Sequence, residues 1–349
     1  MALTTVSAGN QVTQWDSDFF AQYVRTNRFK RYMGTDENSI IQLLEDLTVK
    51  KGGNIVLTLI AKLTGSGVTG DTALVGNEEG LANYDFKIPV DTLRHGVRVT
   101  DHEQQLTEID LRNAAKTMLK LWSQEKIRDA IITALGSVNG VAFASAAASD
   151  KNTWTVNNAD RVLFGSAVAN YNATFATALL NVDAAGDKLS KGVVGLAKRL
   201  AKKSNPIIRP VSVNEDEETY VMFANPLAFR DLKTDLDTVL QNAQVRGSDN
   251  PLFHDGDLMY DGVIIREVPE IGVIAGAGAG GIDVAPNYLC GAQAVGVAWA
   301  KRTASTTDVT DYGFQKGVGI HEMRGIEKCV FNNKDHGVFT VFTAGVADA

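Results

Sequence analysis

Between Gly53 and Leu63 the apolar residues alternate. Ile55, Leu57, Leu59, Ala61 and Leu63 fall on one face of a period-two strand, with Val56, Thr58, Ile60 and Lys62 on the other. The alternation returns at Tyr84, Phe86, Ile88 and Val90, at the start of a second extended arm reaching Thr100, where Pro89 is tolerable on an edge strand. Between the arms lies "LTGSGVTGDTALVGNEEGL", Leu63 to Leu81, with five glycines, no helical period and no catalytic motif. Connections in compact domains usually run about four to six residues. Two arms and a glycine-rich tip therefore predict a long hairpin whose tip has a task of its own.

The period then changes to that of a helix. Leu111, Ala115, Met118 and Trp122 form a stripe that drifts to Ile127, Ala130, Ile131, Ala134 and Leu135 before Gly136 ends it. Thr100 with Glu103 makes a Thr-x-x-Glu capping box, and Thr107 with Asp110 offers a second start. A helix from Glu108 to Leu135 would run roughly 40 Å. Residues 137–186 are rich in Ala, Ser and Asn without a clear period. Beyond them Leu189, Val193, Leu196, Ala197 and Leu200 predict a helix with Lys198, Arg199, Lys202 and Lys203 suited to its C-terminal end, and Pro206 stops it.

Six of the seven prolines lie between Pro206 and Pro286, a change of texture that suggests a change of domain. Here Tyr220–Ala224 reads as a strand, Asn225 as an N-cap and Pro226 as the first helical residue, with Leu227, Leu232, Leu236 and Leu240 facing inward. "DGVIIREVPEIGVI" predicts a strand pair, and "GIEKCVFNNKDHGVFTVFTA" two strands joined by an Asn-Lys-Asp-His-Gly turn. The class is mixed α+β.

Composition narrows the function. With 349 residues, 44% of them hydrophobic, the chain can bury a real core. A net charge of -7 lacks the basic footprint of a dedicated nucleic-acid binder, although "RTNRFKRY" gathers Arg25, Arg28, Lys30 and Arg31. Such a patch is ordinarily a solvated face; its functional reading is contact with a polyanion. Cys290 and Cys329 are too few for a disulfide framework, so two reduced thiols are expected. No positive charge precedes Arg25 and no apolar run reaches about 18 residues, so neither a signal peptide nor a membrane span is expected.

The tempting motifs fail on their physics. "GAGAGG" matches G-x-G-x-x-G through Gly276, Gly278 and Gly281, but the following "IDVAP" opens no helix on which a phosphate could sit. "HDGDLMYDG" gathers His254, Asp255, Asp257 and Asp261, yet as a calcium loop it has Met259, Tyr260 and Arg266 where ligand, glycine and glutamate are needed, so a polar turn is the better reading. His321 and Glu322 are not followed by the second histidine of a zinc protease, and His95, His102 and His336 are scattered, each better read as structural. The acidic run Glu215–Glu218 reads as a solvated turn. Catalytic, cofactor and metal residues are therefore not expected.

The order of N-terminal segment, glycine-tipped hairpin, long helix, central α/β region and closing strands resembles the major capsid proteins of tailed phages, the Hong Kong ninety-seven fold. The residues sharpen this. "LTGSGVTGDTALVGNEEGL", "IPVDTLRHGVRV", "DLRNAAKTMLKLWSQEKIRDAIITAL", "NYLCGAQAVGVAWAK" and "DYGFQKGVGIHEMRGIEKCVFN" resemble the coliphage N-four capsid-protein family, most densely over 50–135 and 287–345. The resemblance implies an N-terminal arm over 1–50, an extended loop over 51–100, a peripheral-domain spine helix over 101–136, a mainly axial domain over 137–286 and a C-terminal return over 287–349.

It also implies a function. The chain would self-assemble as pentamers and hexamers into the icosahedral head shell of a tailed phage. It would first form a procapsid in the host cytoplasm, then become part of the virion around double-stranded DNA. Val68, Leu74, Val75 and Leu81 would anchor the loop on a neighbouring subunit, and Arg25, Arg28, Lys30 and Arg31 would meet DNA phosphates without sequence preference. Implied partners are a separate scaffolding protein, since an extended loop beginning near residue 51 leaves no room for a long scaffolding segment, together with a portal protein and a candidate decoration protein. A nanocompartment shell of the same fold and, more remotely, a dinucleotide-binding oxidoreductase using Gly276, Gly278 and Gly281 are the alternatives.

Overall fold

A computed structural model describes residues 27–45, 47, 52–71, 73–214, 217–244 and 258–348; of 212–214, 217 and 237–244 the backbone alone is described. The chain begins with β1 (Met33–Gly34) and β2 (Ile41–Leu44), then the hairpin strands β3 (Asn54–Ile60) and β4 (Asn83–Pro89). β5 (Asp91–Thr100), the short helix α1 (Asp101–Gln105) and the long helix α2 (Leu111–Leu135) follow. The middle supplies α3 (Ala148–Asn157), β6 (Val162–Phe164), α4 (Phe175–Leu180), α5 (Lys191–Lys203), β7 (Val211–Asn214), β8 (Glu217–Ala224) and α6 (Pro226–Gln244). β9 (Leu258–Tyr260), β10 (Val263–Glu267), β11 (Val284–Cys290) and the long strands β12 (Val295–Thr310) and β13 (Gln315–Lys328) come next. β14 (Val330–Phe331), β15 (Lys334–Asp335) and β16 (Val338–Ala344) close the chain.

These elements divide into two units, a larger one of 28–91, 128–300 and 324–349 and a smaller one that includes 92–127 and 301–323. In the larger unit a sheet of order β6-β16-β11-β8-β10-β9, with β7 on β8, carries the core. Every residue of β11 and β16 is buried, as strands covered on both faces require. Alternation along β16 feeds two cores. Phe339 and Val341 join Val193, Val194, Ala197 and Ala201 of α5 and Leu232 and Leu236 of α6, whereas Phe342 and Ala344 join Trp154, Phe164 and Phe175. Phe164 stacks on Phe342 at 5.2 Å between ring centroids.

The strand-turn-helix unit forms as its sequence predicts. Asn225 Oδ1 accepts from the Leu227 amide (2.9 Å), and the Asn225 side chain donates to the Ile271 carbonyl (2.6 Å). Leu240 lies outside the residues whose side chains are described. The C-terminal turn differs from expectation: Asn332 and Asn333, at φ 52° and 59°, make a two-residue turn between β14 and β15, and β16 leaves to pair with β11 and β6. Two consecutive left-handed residues are the geometry of a tight hairpin turn, which Asn tolerates. The predicted strand pair likewise lies earlier, with β9 against β10 across Asp261 and Gly262.

In the smaller unit Leu119 packs with Val318 and Ile320 of β13 and with Trp122. Buried Glu322 accepts from Ser123 Oγ (3.0 Å) and Thr303 Oγ1 (2.6 Å). The long helix begins later than expected. Thr100 caps the separate α1 by accepting from the Glu103 amide (3.2 Å), and Asp110 accepts from the amides of Arg112 and Asn113 (both 3.1 Å) to open α2. Gln104 fills the break between helices, donating to the Ile109 carbonyl (2.9 Å) and accepting from the Leu111 amide (3.2 Å). At 25 residues α2 spans roughly 37 Å. Among the described residues no helix is long and apolar enough to cross a membrane.

Candidate assembly interface

The hairpin is anchored at its base and bare at its tip. β3 and β4 pair antiparallel, Ile55 opposite Ile88, Leu57 opposite Phe86 and Leu59 opposite Tyr84, the alternation read from sequence. Ile55 and Ile88 are buried with Ala298, and Leu44, Leu47, Leu57, Phe86 and Val90 pack around them. Gly325 is required here, because an added Cβ would fall on the Pro89 carbonyl.

Regular pairing stops at Ile60 and Asn83, and the Ala61 amide makes one further bond to the Ala82 carbonyl (2.9 Å). Glu79 then closes the neck: Oε1 accepts from the Thr64 amide (2.7 Å) and hydroxyl (2.9 Å), and Oε2 from the Gly65 amide (2.7 Å). Those backbone donors hold the Glu79 carboxyl below its ordinary range. Beyond the neck Gly67, Gly70 and Gly76 adopt positive φ, and Glu78 accepts from the Gly76 amide (2.7 Å).

Leu74, Val75 and Leu81 are 59%, 85% and 62% exposed, whereas Val68 is half-buried. Sequence reasoning missed Val56, Ile60 and Leu63, which are equally exposed. Their signal was present, since Val56 and Ile60 occupy the second face of a strand whose first face supplies the anchor. Exposed apolar side chains thus recur along the hairpin and its loop. Fully burying one such side chain is worth about 1.5–3 kcal/mol.

Arg25 lies outside the described residues. Arg28–Tyr32 is a 3-10 turn whose Phe29 is buried edge-on against Phe223 at 4.8 Å, and Arg28 donates to the Glu267 carbonyl (2.6 Å). Lys30 and Arg31 are exposed. The structure thus commits Arg28 to the fold.

The other motifs have local explanations. Gly276, Gly280 and Gly281 have positive φ in a tight loop bracketed by the Ile274–Val284 bridge, and an added Cβ at Gly278 would crowd Ile282, Val284 and the Val182 carbonyl. The motif ends in a three-residue 3-10 turn, Ala279–Gly281, and runs on into β11, so no helix N-terminus is there to seat a pyrophosphate. His254, Asp255 and Asp257 lie outside the described residues, and Asp261 sits in the β9–β10 turn, where it pairs with Lys198 (3.2 Å). Of the acidic run, Glu218 lies in β8 and pairs with Lys202. Among the described residues no cluster of His, Cys, Asp and Glu has the geometry to hold a metal ion. Cys290 and Cys329 are buried free thiols, and burial pushes Cys329 up to about 12.

Comparison with known proteins agrees with this architecture. The family model described as phage capsid protein matches residues 3–347. The major capsid protein of Pseudomonas phage KPP25 is 31% identical over a 367-residue alignment covering 96% of this chain and 95% of that protein. Among solved structures, the Cyanophage Pam1 capsid asymmetric unit matches at a TM-score of 0.93 and 40% identity over the whole of both chains. The capsid of Ralstonia phage GP4 shares the fold at a TM-score of 0.77 and 23% identity, again over both full chains. With its glycine-tipped hairpin, long helix and central α/β core, the chain belongs to the phage capsid protein family.

Proposed function

We propose that this chain is the major capsid protein that builds a phage head shell by association with copies of itself, with the hairpin as the clasp between subunits. Family membership supports the shell. The observation that carries the clasp is the exposure of Leu74, Val75 and Leu81 on a glycine-rich loop beyond an anchored base. Docking costs that loop conformational entropy, which burial of its apolar side chains offsets, and a closed shell repeats the contact at each subunit.

In this reading the shell is icosahedral, made of pentamers and hexamers, and encloses double-stranded DNA. A scaffolding protein and a portal protein are its external partners, with a decoration protein as a candidate third. Lys30 and Arg31, both exposed, meet phosphate in this reading, and the subunit carries out no enzymatic step. The segments assigned by resemblance, from N-terminal arm to C-terminal return, keep those roles.

Deletion of Ser66–Gly80, joining Gly65 to Leu81, tests the clasp. A folded subunit that no longer forms shells by negative-stain electron microscopy and sedimentation is the expected result. Normal shells from the deletion variant would overturn it.

A further inference from the structure

The larger unit holds a cavity of about 260 Å³ that its own side chains leave open. One wall is the β11–β16 pair, where Pro286 stands opposite Phe342 and Tyr288 opposite Thr340, all four lining the space. A second wall is the end of α2, with Leu135 and Gly136, and Trp154 lines it as well. The space exists because the chain that borders it is small: Ala142, Ala144 and Gly272 raise too little side chain to fill it. Ala144 and Gly272 are exposed, so the cavity opens to solvent between them.

One polar group faces this space without a partner. Tyr288 is 6% exposed, and its hydroxyl makes no hydrogen bond among the described residues. Buried hydroxyls are ordinarily paired, because leaving one unpaired forfeits its hydration for nothing. Burial also pushes the phenol far above its ordinary range, so it stays protonated and able to donate. Gly136 makes room for it: an added Cβ would stand 2.8 Å from the hydroxyl oxygen. Gly136 does not adopt a positive φ, so the backbone there does not itself require glycine.

The charges beside the cavity are already used. Lys328, another lining residue, donates to Asp335 (2.7 Å) and to the Ser137 carbonyl (2.6 Å). A charged ligand would lose its hydration here without gaining a free counter-charge. The rings of Trp154 and Phe342 and the aliphatic Leu135 suit an apolar ring instead. An apolar cavity of about 150 Å³ is enough for benzene, so about 260 Å³ admits one ring with a substituent.

We propose that this cavity binds a small uncharged ring compound carrying one hydrogen-bond acceptor, of the phenol or cyclic-alcohol class, with the Tyr288 hydroxyl donating to it. The site is independent of the clasp, since no residue of the Leu63–Leu81 loop lines it.

Fluorine NMR of the full-length, unassembled subunit tests this, with para-fluorophenol as ligand and fluorobenzene as the same ring without the hydroxyl. Tyr288→Phe keeps the ring and breaks no hydrogen bond among the described residues, so the variant should fold normally. Saturable binding of para-fluorophenol is expected, about fivefold tighter to the native chain than to Tyr288→Phe, as one neutral hydrogen bond provides. Fluorobenzene should bind both alike. Ala142→Leu, which fills part of the cavity, should weaken both probes, and Ala144→Leu at the exposed rim repeats that test without touching a half-buried position.

Absence of saturable binding, or a para-fluorophenol affinity that Tyr288→Phe leaves unchanged, overturns the proposal. So does binding that neither leucine variant weakens, because the probe then sits elsewhere.

Discussion

Replacing Lys328 with methionine should be among the most damaging single changes in the larger unit. Lys328 and Asp335 pair at 2.7 Å with side chains 1% and 2% exposed. The ammonium also donates to the Ser137 carbonyl (2.6 Å) and lies 5.3 Å from the centre of the Trp154 ring, while the Trp154 indole donates to the same Asp335 oxygen (3.1 Å). Asp335 also fixes backbone, since its amide donates to Asn158 (2.8 Å) and its carbonyl accepts from Arg161. Lys328→Met leaves a buried carboxylate with one side-chain donor. Removing one partner of a buried pair costs about 3–5 kcal/mol. At about 1.4 kcal/mol per tenfold this lowers the folding constant by roughly two to four orders of magnitude. Urea titration of the unassembled subunit, followed by circular dichroism, measures it. Adding Asp335→Asn removes the stranded charge, so the double variant should be more stable than Lys328→Met by at least about 1 kcal/mol. A cost below about 1 kcal/mol for Lys328→Met, or strictly additive effects, would refute the reasoning, because a pair held this tightly in a dry site cannot be independent.

Glu79→Ala removes the acceptor of both neck amides, so the loop should be cut faster by limited proteolysis while the rest of the subunit resists as before; unchanged cleavage would show that the neck is held by something else. Acid should act there too: the depressed Glu79 carboxyl keeps the neck closed above its ordinary value of 4.5, and closure is lost as pH falls through the folded value. His336 adds a second acid-sensitive contribution. Burial, aided by the Arg161 cation, lowers it from 6.5 to about 4, so its stabilisation is complete above pH 6.5 and is lost as pH falls toward 4. The amount is about 3 kcal/mol, and His336→Gln should flatten that part of the stability-pH curve in chemical denaturation. Asn225→Ala should cost about 2 kcal/mol in the same assay, since it removes the cap of α6 and strands the Ile271 carbonyl.

How much of this was legible in the sequence depends on the range of the forces involved. The hairpin arms, the Asn225 cap and the α5 stripe follow from period and cap chemistry over a few residues. The α2 start was misplaced because Thr107 and Asp110 are both good caps. The choice was made by Gln104, which bonds across the break to Ile109 and Leu111. The Asn332–Asn333 turn was obscured because Lys334 and Asp335 look like turn residues, whereas Asp335 is buried by Lys328, Trp154 and Asn158. The core of the Ala-, Ser- and Asn-rich stretch was hidden for the same reason. Its aromatics, Trp154, Phe164 and Phe175, acquire meaning only when β16 brings Phe342 among them. The exposed Leu74 and Val75 were legible because nothing nearby in sequence could cover them.

The glycines separate two kinds of constraint. Gly325 is demanded by its own chain through the Pro89 carbonyl, and Gly291 by the Arg209 carbonyl. Gly317 and Gly319 are not, for a Cβ at either would meet only ordinary contacts. Glycine inside a strand still costs roughly 0.5–1 kcal/mol relative to alanine. Nothing in the packing of the described residues demands that cost at these two half-buried positions. Val75, too, is left 85% exposed on a loop that Glu79 holds at the neck. Packing among the described residues thus accounts for Gly325 and Gly291 but not for Gly317, Gly319 or the exposed Val75.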